Sequence, residues 1–147
     1  MRVSTKGRYG TRAMLDVALH ADEGLVHLKD IAERQEISKK YLEHLVARLE
    51  ADGLLRAVRG AGGGVALAKP PSEVTILDIL SALEGSLAPV ECVDRPEVCP
   101  RSANCGARDL WTDLGGVITG FLGSITLEDL CERQRQKDRP AALTYSI

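Results

Sequence analysis

Three cysteines, Cys92, Cys99 and Cys105, stand in one short segment with the spacing C-x6-C-x5-C. Clustered thiolates hold zinc, iron or iron–sulfur clusters, and unligated thiols are redox-active nucleophiles. Pro89, Pro96, Pro100 and Gly106 lie in the same segment. They keep it out of regular helix and free backbone N–H groups to face cluster sulfurs. The spacing matches neither the C-x2-C of structural zinc sites nor a ferredoxin run. From the residues alone, a metal or cluster site and unligated thiols both stay open. Cys131 differs. It lies near Leu127 and Leu130 in a helical pattern, the setting of a buried core cysteine.

The elements that must position this loop are helical. The chain has 147 residues, 44% of them apolar, and few aromatics (Trp111, Phe121 and three Tyr). That allows one compact domain plus an extension, with a core of Leu, Ile, Val and Ala. Net charge is −2, but it is unevenly placed: 12 Lys/Arg against 9 Asp/Glu over residues 1–69, and 7 against 12 over 70–147. The halves are therefore +3 and −5, a basic binding half and an acidic regulatory or oligomerisation half. The N-terminus has no apolar signal region, and no stretch approaches the ~18 apolar residues of a membrane span. A cytoplasmic protein is expected, where structural disulfides are disfavoured.

Periodicity predicts a first helix from Thr5 to about Ala21, with Ala13, Met14, Val17, Ala18 and Ala21 inward and a basic start at Arg2, Lys6, Arg8 and Arg12. A short helix follows over 28–35. Ser38 is an N-cap candidate for a third helix to about Asp52. Its inward face is Tyr41, Leu42, Leu45, Val46 and Leu49; Lys39, Lys40, Glu43, His44 and Arg48 fall on the other. Two short strand patterns, 54–57 and 65–68, flank the glycine-rich run Val58-Arg59-Gly60-Ala61-Gly62-Gly63-Gly64, which reads as a hairpin tip. No G-K-[ST] follows the run, which excludes a phosphate-binding P-loop. Pro70-Pro71 marks a boundary, and a helix over 75–84 ends at Gly85. Residues 86–107 show no periodicity, as expected of a functional loop. Leu110, Leu114, Val117, Ile118, Phe121 and Leu122 define a long amphipathic helix. Its apolar surface exceeds what a small core needs, so it reads as a dimerisation helix. A short helix over 127–135 and a disordered tail complete the chain. No internal repeat is evident.

Helix, helix, turn, helix, hairpin is the order of a winged helix-turn-helix. The fold class expected is mainly α: a winged helix-turn-helix DNA-binding region with a two-stranded wing over 1–71, cluster loop and dimerisation helices over 72–135, and the tail over 136–147. A recognition helix buries one face and offers donors and acceptors to base edges on the other. Ser38, Lys39, Lys40 and Tyr41 sit at its start, where the lysines reach phosphates or guanine. Glu43 accepts from a cytosine amine and His44 donates. Arg2 and Lys6 add positive charge alongside. Gly60, Gly62 and Gly63 let the wing backbone approach DNA, and Arg59 suits a narrow minor groove. The bland reading of these charges is a solvated helix face; the ordered pattern as a whole outweighs it. No catalytic constellation is visible, so an enzyme is not expected.

The segments Met1 to Gly10, Ile31-Ala32-Glu33-Arg34-Gln35, Tyr41-Leu42-Glu43, Val58 to Gly64, Asp109-Leu110-Trp111 and Ile125-Thr126-Leu127 resemble IscR-type regulators, bacterial winged-helix proteins that sense iron–sulfur clusters. The resemblance covers about residues 1–131. It implies a homodimer with two DNA-binding lobes and a long crossed dimer helix. It also implies a cluster, most often 2Fe–2S, held at Cys92, Cys99 and Cys105, and a role for Glu43 in discriminating DNA sites bound with and without it. The IscR branch carries a histidine as fourth ligand three residues after the last cysteine, where this chain has Arg108. A nitric-oxide-sensing branch uses an aspartate of the partner's first helix, where this chain has Arg8. The fourth ligand is open between Asp109, Glu91, Asp94, a histidine of the partner, and an exogenous thiol or water. Lys40 and His44 also depart from the small or amide side chains of the IscR branch, so a different operator is expected. The alternatives are a cluster-free regulator responding through thiol oxidation or zinc and, more remotely, an Fe–S electron carrier whose helix-turn-helix docks a protein.

Overall fold

A computed structural model describes residues 2–140. The elements run α1 (Thr5–Leu19), α2 (Leu28–Gln35), α3 (Lys39–Ala51), β1 (Leu55–Val58), β2 (Gly64–Leu67), α4 (Ile76–Glu84), α5 (Glu91–Asp94), α6 (Gly106–Ser124) and α7 (Leu127–Asp138). This is the expected mainly helical winged helix with one two-stranded antiparallel sheet, Leu55 facing Leu67 and Val58 facing Gly64. α7 runs past its expected end near Arg135, whereas α1 stops at Leu19 and Ala21, expected inward at its end, is exposed in a separate 3-10 turn. Residues 141–147, most of the expected disordered tail, lie outside the described residues. No described helix is long and apolar enough to cross a membrane.

One core joins the two halves. Met14 and Val17 of α1, Ile31 of α2, Leu42, Leu45 and Leu49 of α3, Val65 of the wing, Ile79 and Leu83 of α4, and Leu127 and Cys131 of α7 are all buried in it. α1 and α4 pack closely because α1 presents glycine: a Cβ on Gly10 would lie 2.1 Å from Leu83 Cδ1. α1 starts at Ser4, whose hydroxyl caps Gly7 N–H. Glu84, from the end of α4, accepts from the N–H groups of Ser4 at 3.0 Å and Gly7 at 3.1 Å. A carboxylate at a helix N-terminus satisfies orphan donors and opposes the positive dipole end.

The turn between α2 and α3 is held from both sides. Asp16 of α1, 2% exposed, accepts from Arg34 Nε at 2.9 Å and Nη2 at 2.7 Å, and from Gln35 Nε2 at 2.9 Å. That bidentate pair holds the Arg34 guanidinium above its ordinary pKa, the Asp16 hydrogen bond being the largest cause. Arg12 donates to the Gln35 carbonyl at 2.6 Å. Glu36 closes α2 in the left-handed region at φ 55, and Ser38 then caps α3 by accepting from Tyr41 N–H at 3.1 Å.

α4 and α7 begin alike. Thr75 and Asp78 form a capping box, and so do Thr126 and Asp129. The two cap segments pair antiparallel: Ile76 N–H donates to the Ile125 carbonyl at 2.9 Å, and Leu127 N–H to the Val74 carbonyl at 2.7 Å. This local two-fold echo, T-x-x-D after an apolar residue, escapes a search for long repeats. It fixes where α6 leaves the core. Ile118 and Leu122 of α6 are half-buried, while Leu110, Leu114, Val117 and Phe121 are 58%, 40%, 68% and 60% exposed.

Candidate functional site

The exposed face of α3 carries Lys39, Lys40, Glu43 and His44, with Ser38 exposed at its start. Burial of Leu42, Leu45, Val46 and Leu49 turns that face outward. Tyr41 is half-buried, its ring edge-on to Tyr9 of α1 with centroids 6.2 Å apart. Arg8 and Arg12 lie over Tyr9 at 5.7 and 5.2 Å, so the ring contact between Tyr9 and Tyr41 brings the basic start of α1 beside the start of α3. Arg2 and Lys6 are exposed at the same end of α1. Arg48, which the helical pattern leaves on the polar face, donates instead to the Leu83 carbonyl at 3.1 Å and closes the end of α4.

A groove of about 760 Å³ opens between α3 and the wing, lined by Lys39 and Glu43 on one side and Arg59, Gly60, Gly62 and Gly63 on the other. Gly60 and Gly62 have φ of 98 and 79, a backbone region that admits glycine without steric cost. Arg2, Lys6, Ser38, Lys40, Tyr41 and His44 lie outside the groove lining. His27 does line it, and no sequence signal singles that residue out.

The three loop cysteines belong to three separate turns. Cys92 lies in α5, Cys99 follows the 3-10 turn Pro96–Val98, and Cys105 is the N-cap of α6. The expected structureless stretch is therefore a chain of short turns. Proline sets φ and helical geometry at 96, and one-turn elements satisfy the backbone without a long period. All three thiols are free and half-buried. Cys105 Sγ accepts from Arg108 N–H at 3.4 Å, in the first turn of a 19-residue helix. Ser102 Oγ donates to the Pro96 carbonyl at 2.7 Å.

The fourth-ligand candidates are placed differently. Glu91 pairs with Arg95, Asp94 accepts from Ser86, and Asp109 lies exposed in the first turn of α6. The histidines are in the other half: His20 beside Asp16, His27 before α2 with its ring against the wing, His44 on α3. Among the described residues, no three His, Cys, Asp or Glu side chains are grouped to hold a metal ion. The donor set nevertheless suits an anionic group held by sulfur: three free thiols on one loop, one at a helix N-terminus, with the Arg108 guanidinium beside them. Cys131 is fully buried, and burial pushes its thiol pKa up, as a core cysteine requires.

Comparison with known proteins places this arrangement. A profile of the Rrf2 family, described as iron-dependent transcriptional regulators, matches residues 3–133. The HTH-type transcriptional regulator IscR of Photorhabdus laumondii is 48% identical over 138 residues, 94% of this chain and 84% of that protein. The structure of T. potens IscR superposes with a TM-score of 0.77 at 39% identity, over 95% of this chain and 93% of that one. The oxidized form of Staphylococcus aureus CymR superposes with a TM-score of 0.71 at 37% identity, over 90% and 97%. Winged helix, cysteine loop and long exposed helix thus occur together in a chain that belongs to the Rrf2 family of iron-dependent transcriptional regulators.

Proposed function

We propose that the chain is a cytoplasmic, homodimeric regulator whose affinity for a double-stranded DNA operator responds to an iron–sulfur cluster of the 2Fe–2S type carried by Cys92, Cys99 and Cys105. The observation that carries this reading is Cys105: one residue is both a loop thiol and the N-cap of α6. Whatever draws the three sulfurs together also moves or orders the start of the helix whose apolar stripe faces outward. A second copy packing on Leu110, Leu114, Val117 and Phe121 would cover that stripe, so loop and dimer interface share one element.

The DNA surface in this reading is the outer face of α3 with the wing and the start of α1. Lys39 and Lys40, with Ser38 and Tyr41 at the helix start, meet phosphates or guanine; Glu43 and His44 meet base edges; Arg59, on the glycine turn of Gly60, Gly62 and Gly63, enters the minor groove; Arg2 and Lys6 add phosphate contacts. The cluster supplies sensitivity to oxygen, nitric oxide and iron supply. The chain supplies three thiolates and a helix dipole, and takes its fourth ligand from outside the cysteine set. A coupling of about 1–3 kcal/mol between loop and lobes shifts operator affinity by roughly 5–150-fold.

A second reading, a thiol-redox regulator without a cluster, is favoured by the half-buried free thiols and by the likeness to a regulator solved in an oxidized form. Duplex binding by anaerobically purified protein, before and after cluster removal, separates the two. A change within the range above, abolished by Cys92→Ala, supports the cluster. Unchanged affinity contradicts it, and a change produced by reversible thiol oxidation in iron-free protein establishes the second reading.

A further inference from the structure

His27 is the residue before α2, and its carbonyl already begins that helix by accepting from the N–H groups of Asp30 at 3.1 Å and Ile31 at 3.2 Å. Its ring makes no capping bond. Nδ1 lies instead 2.6 Å from the carbonyl oxygen of Gly63. A carbonyl only accepts, so Nδ1 carries the hydrogen and donates.

The partner of that bond is the tip of the wing. Gly63 N–H donates to the Gly60 carbonyl at 2.9 Å, and a Cβ on Gly63 would lie 2.2 Å from the Val58 carbonyl oxygen. The turn is therefore tight and restricted to glycine. The base of the wing is held by Val26 and Val65, which exchange two backbone hydrogen bonds of 2.8 Å. His27, the next residue, extends that tie to the tip. Without it, a glycine turn keeps backbone freedom that binding must then remove.

We infer that His27 is a positioning residue for DNA binding: its imidazole holds the wing tip at Gly63, so that Arg59 is presented across the groove from Lys39 and Glu43. The inference rests on the wing contacting DNA as proposed above, and the test distinguishes failure of that reading from failure of this one.

The test uses the full chain and a duplex enriched from a random-sequence pool by the wild-type protein. Affinity and salt dependence are measured for Arg59→Ala, His27→Ala, His27→Asn and the double variant His27→Ala with Arg59→Ala. Arg59→Ala weakens binding and reduces the salt slope by about one. His27→Ala weakens binding about fivefold and adds little in the Arg59→Ala background, because it acts through the wing. His27→Asn restores affinity, since its amide nitrogen stands where Nδ1 stands and donates to the same carbonyl. Arg59→Ala without effect overturns the wing reading itself. Loss with Arg59→Ala together with wild-type binding by His27→Ala, or with fully additive losses, overturns the role of His27. If His27→Ala lowers the thermal midpoint, His27→Asn still decides: a folded His27→Asn that binds no better than His27→Ala contradicts the role.

Discussion

Arg108 donates from Nε to the carbonyl of Cys92 at 2.9 Å, which ties the first turn of the cysteine loop to the first turn of α6. The side chain at 108 therefore already points into the loop. Arg108→His replaces that tie with a nitrogen ligand one turn beyond Cys105. Cluster loss in air, followed by decay of visible absorption, is expected to slow by about tenfold, within the range a supporting metal partner is worth. An unchanged decay rate would place position 108 away from the cluster.

Close packing of α1 on α4 depends on Gly10. Gly10→Ala brings a Cβ to 2.1 Å from Leu83 Cδ1, and overpacking of this kind costs about 1–3 kcal/mol. Alanine is the better helix former, so a purely local account predicts the opposite sign. Urea unfolding checks which effect dominates, and a lower midpoint is the expected result.

Glu36 is the one non-glycine residue with positive φ among the described residues. A left-handed residue with a Cβ carries about 1–2 kcal/mol of strain, and glycine costs about 0.5–1 kcal/mol in lost unfolded-state freedom. Glu36→Gly is thus expected to raise stability by about 0.5–1 kcal/mol, read as a higher thermal midpoint with unchanged helical content.

Cys131 links stability to alkaline pH. Burial raises its folded thiol pKa above the ordinary value of 9.0. Its contribution is therefore fully present below that value and is lost as pH rises through it, because the unfolded thiol ionises first. Between about pH 8 and pH 10, wild type is expected to lose more stability than Cys131→Ala, although Cys131→Ala is less stable throughout. Parallel pH profiles would contradict the burial account.

Local signals in the sequence carry the helices, their caps at Ser38 and Gly85, the glycine turn of the wing and the three-cysteine loop, because periodicity and turn chemistry act over a few residues. Contacts distant in sequence were not legible there. Glu84 reading as the end of α4 gives no sign that it caps α1, and Arg48 reads as a surface charge although it closes α4. Asp16 stands in no motif that marks it as the buried partner of Arg34. The loop shows no periodicity because one-turn elements have no period to detect. His27 carries no motif, and its ring reaches the wing only once β2 is paired beside Val26.

Iron and acid-labile sulfide content, with visible absorption, tests the central claim most directly when measured on anaerobically purified wild type and on Cys92→Ala, Cys99→Ala and Cys105→Ala. About two irons and two sulfides per chain, with a charge-transfer band between blue and red, are expected of the wild type, and each substitution is expected to abolish them. Iron-free protein without that band, or full cluster content in any of the three variants, would contradict the assignment of the cluster to this loop.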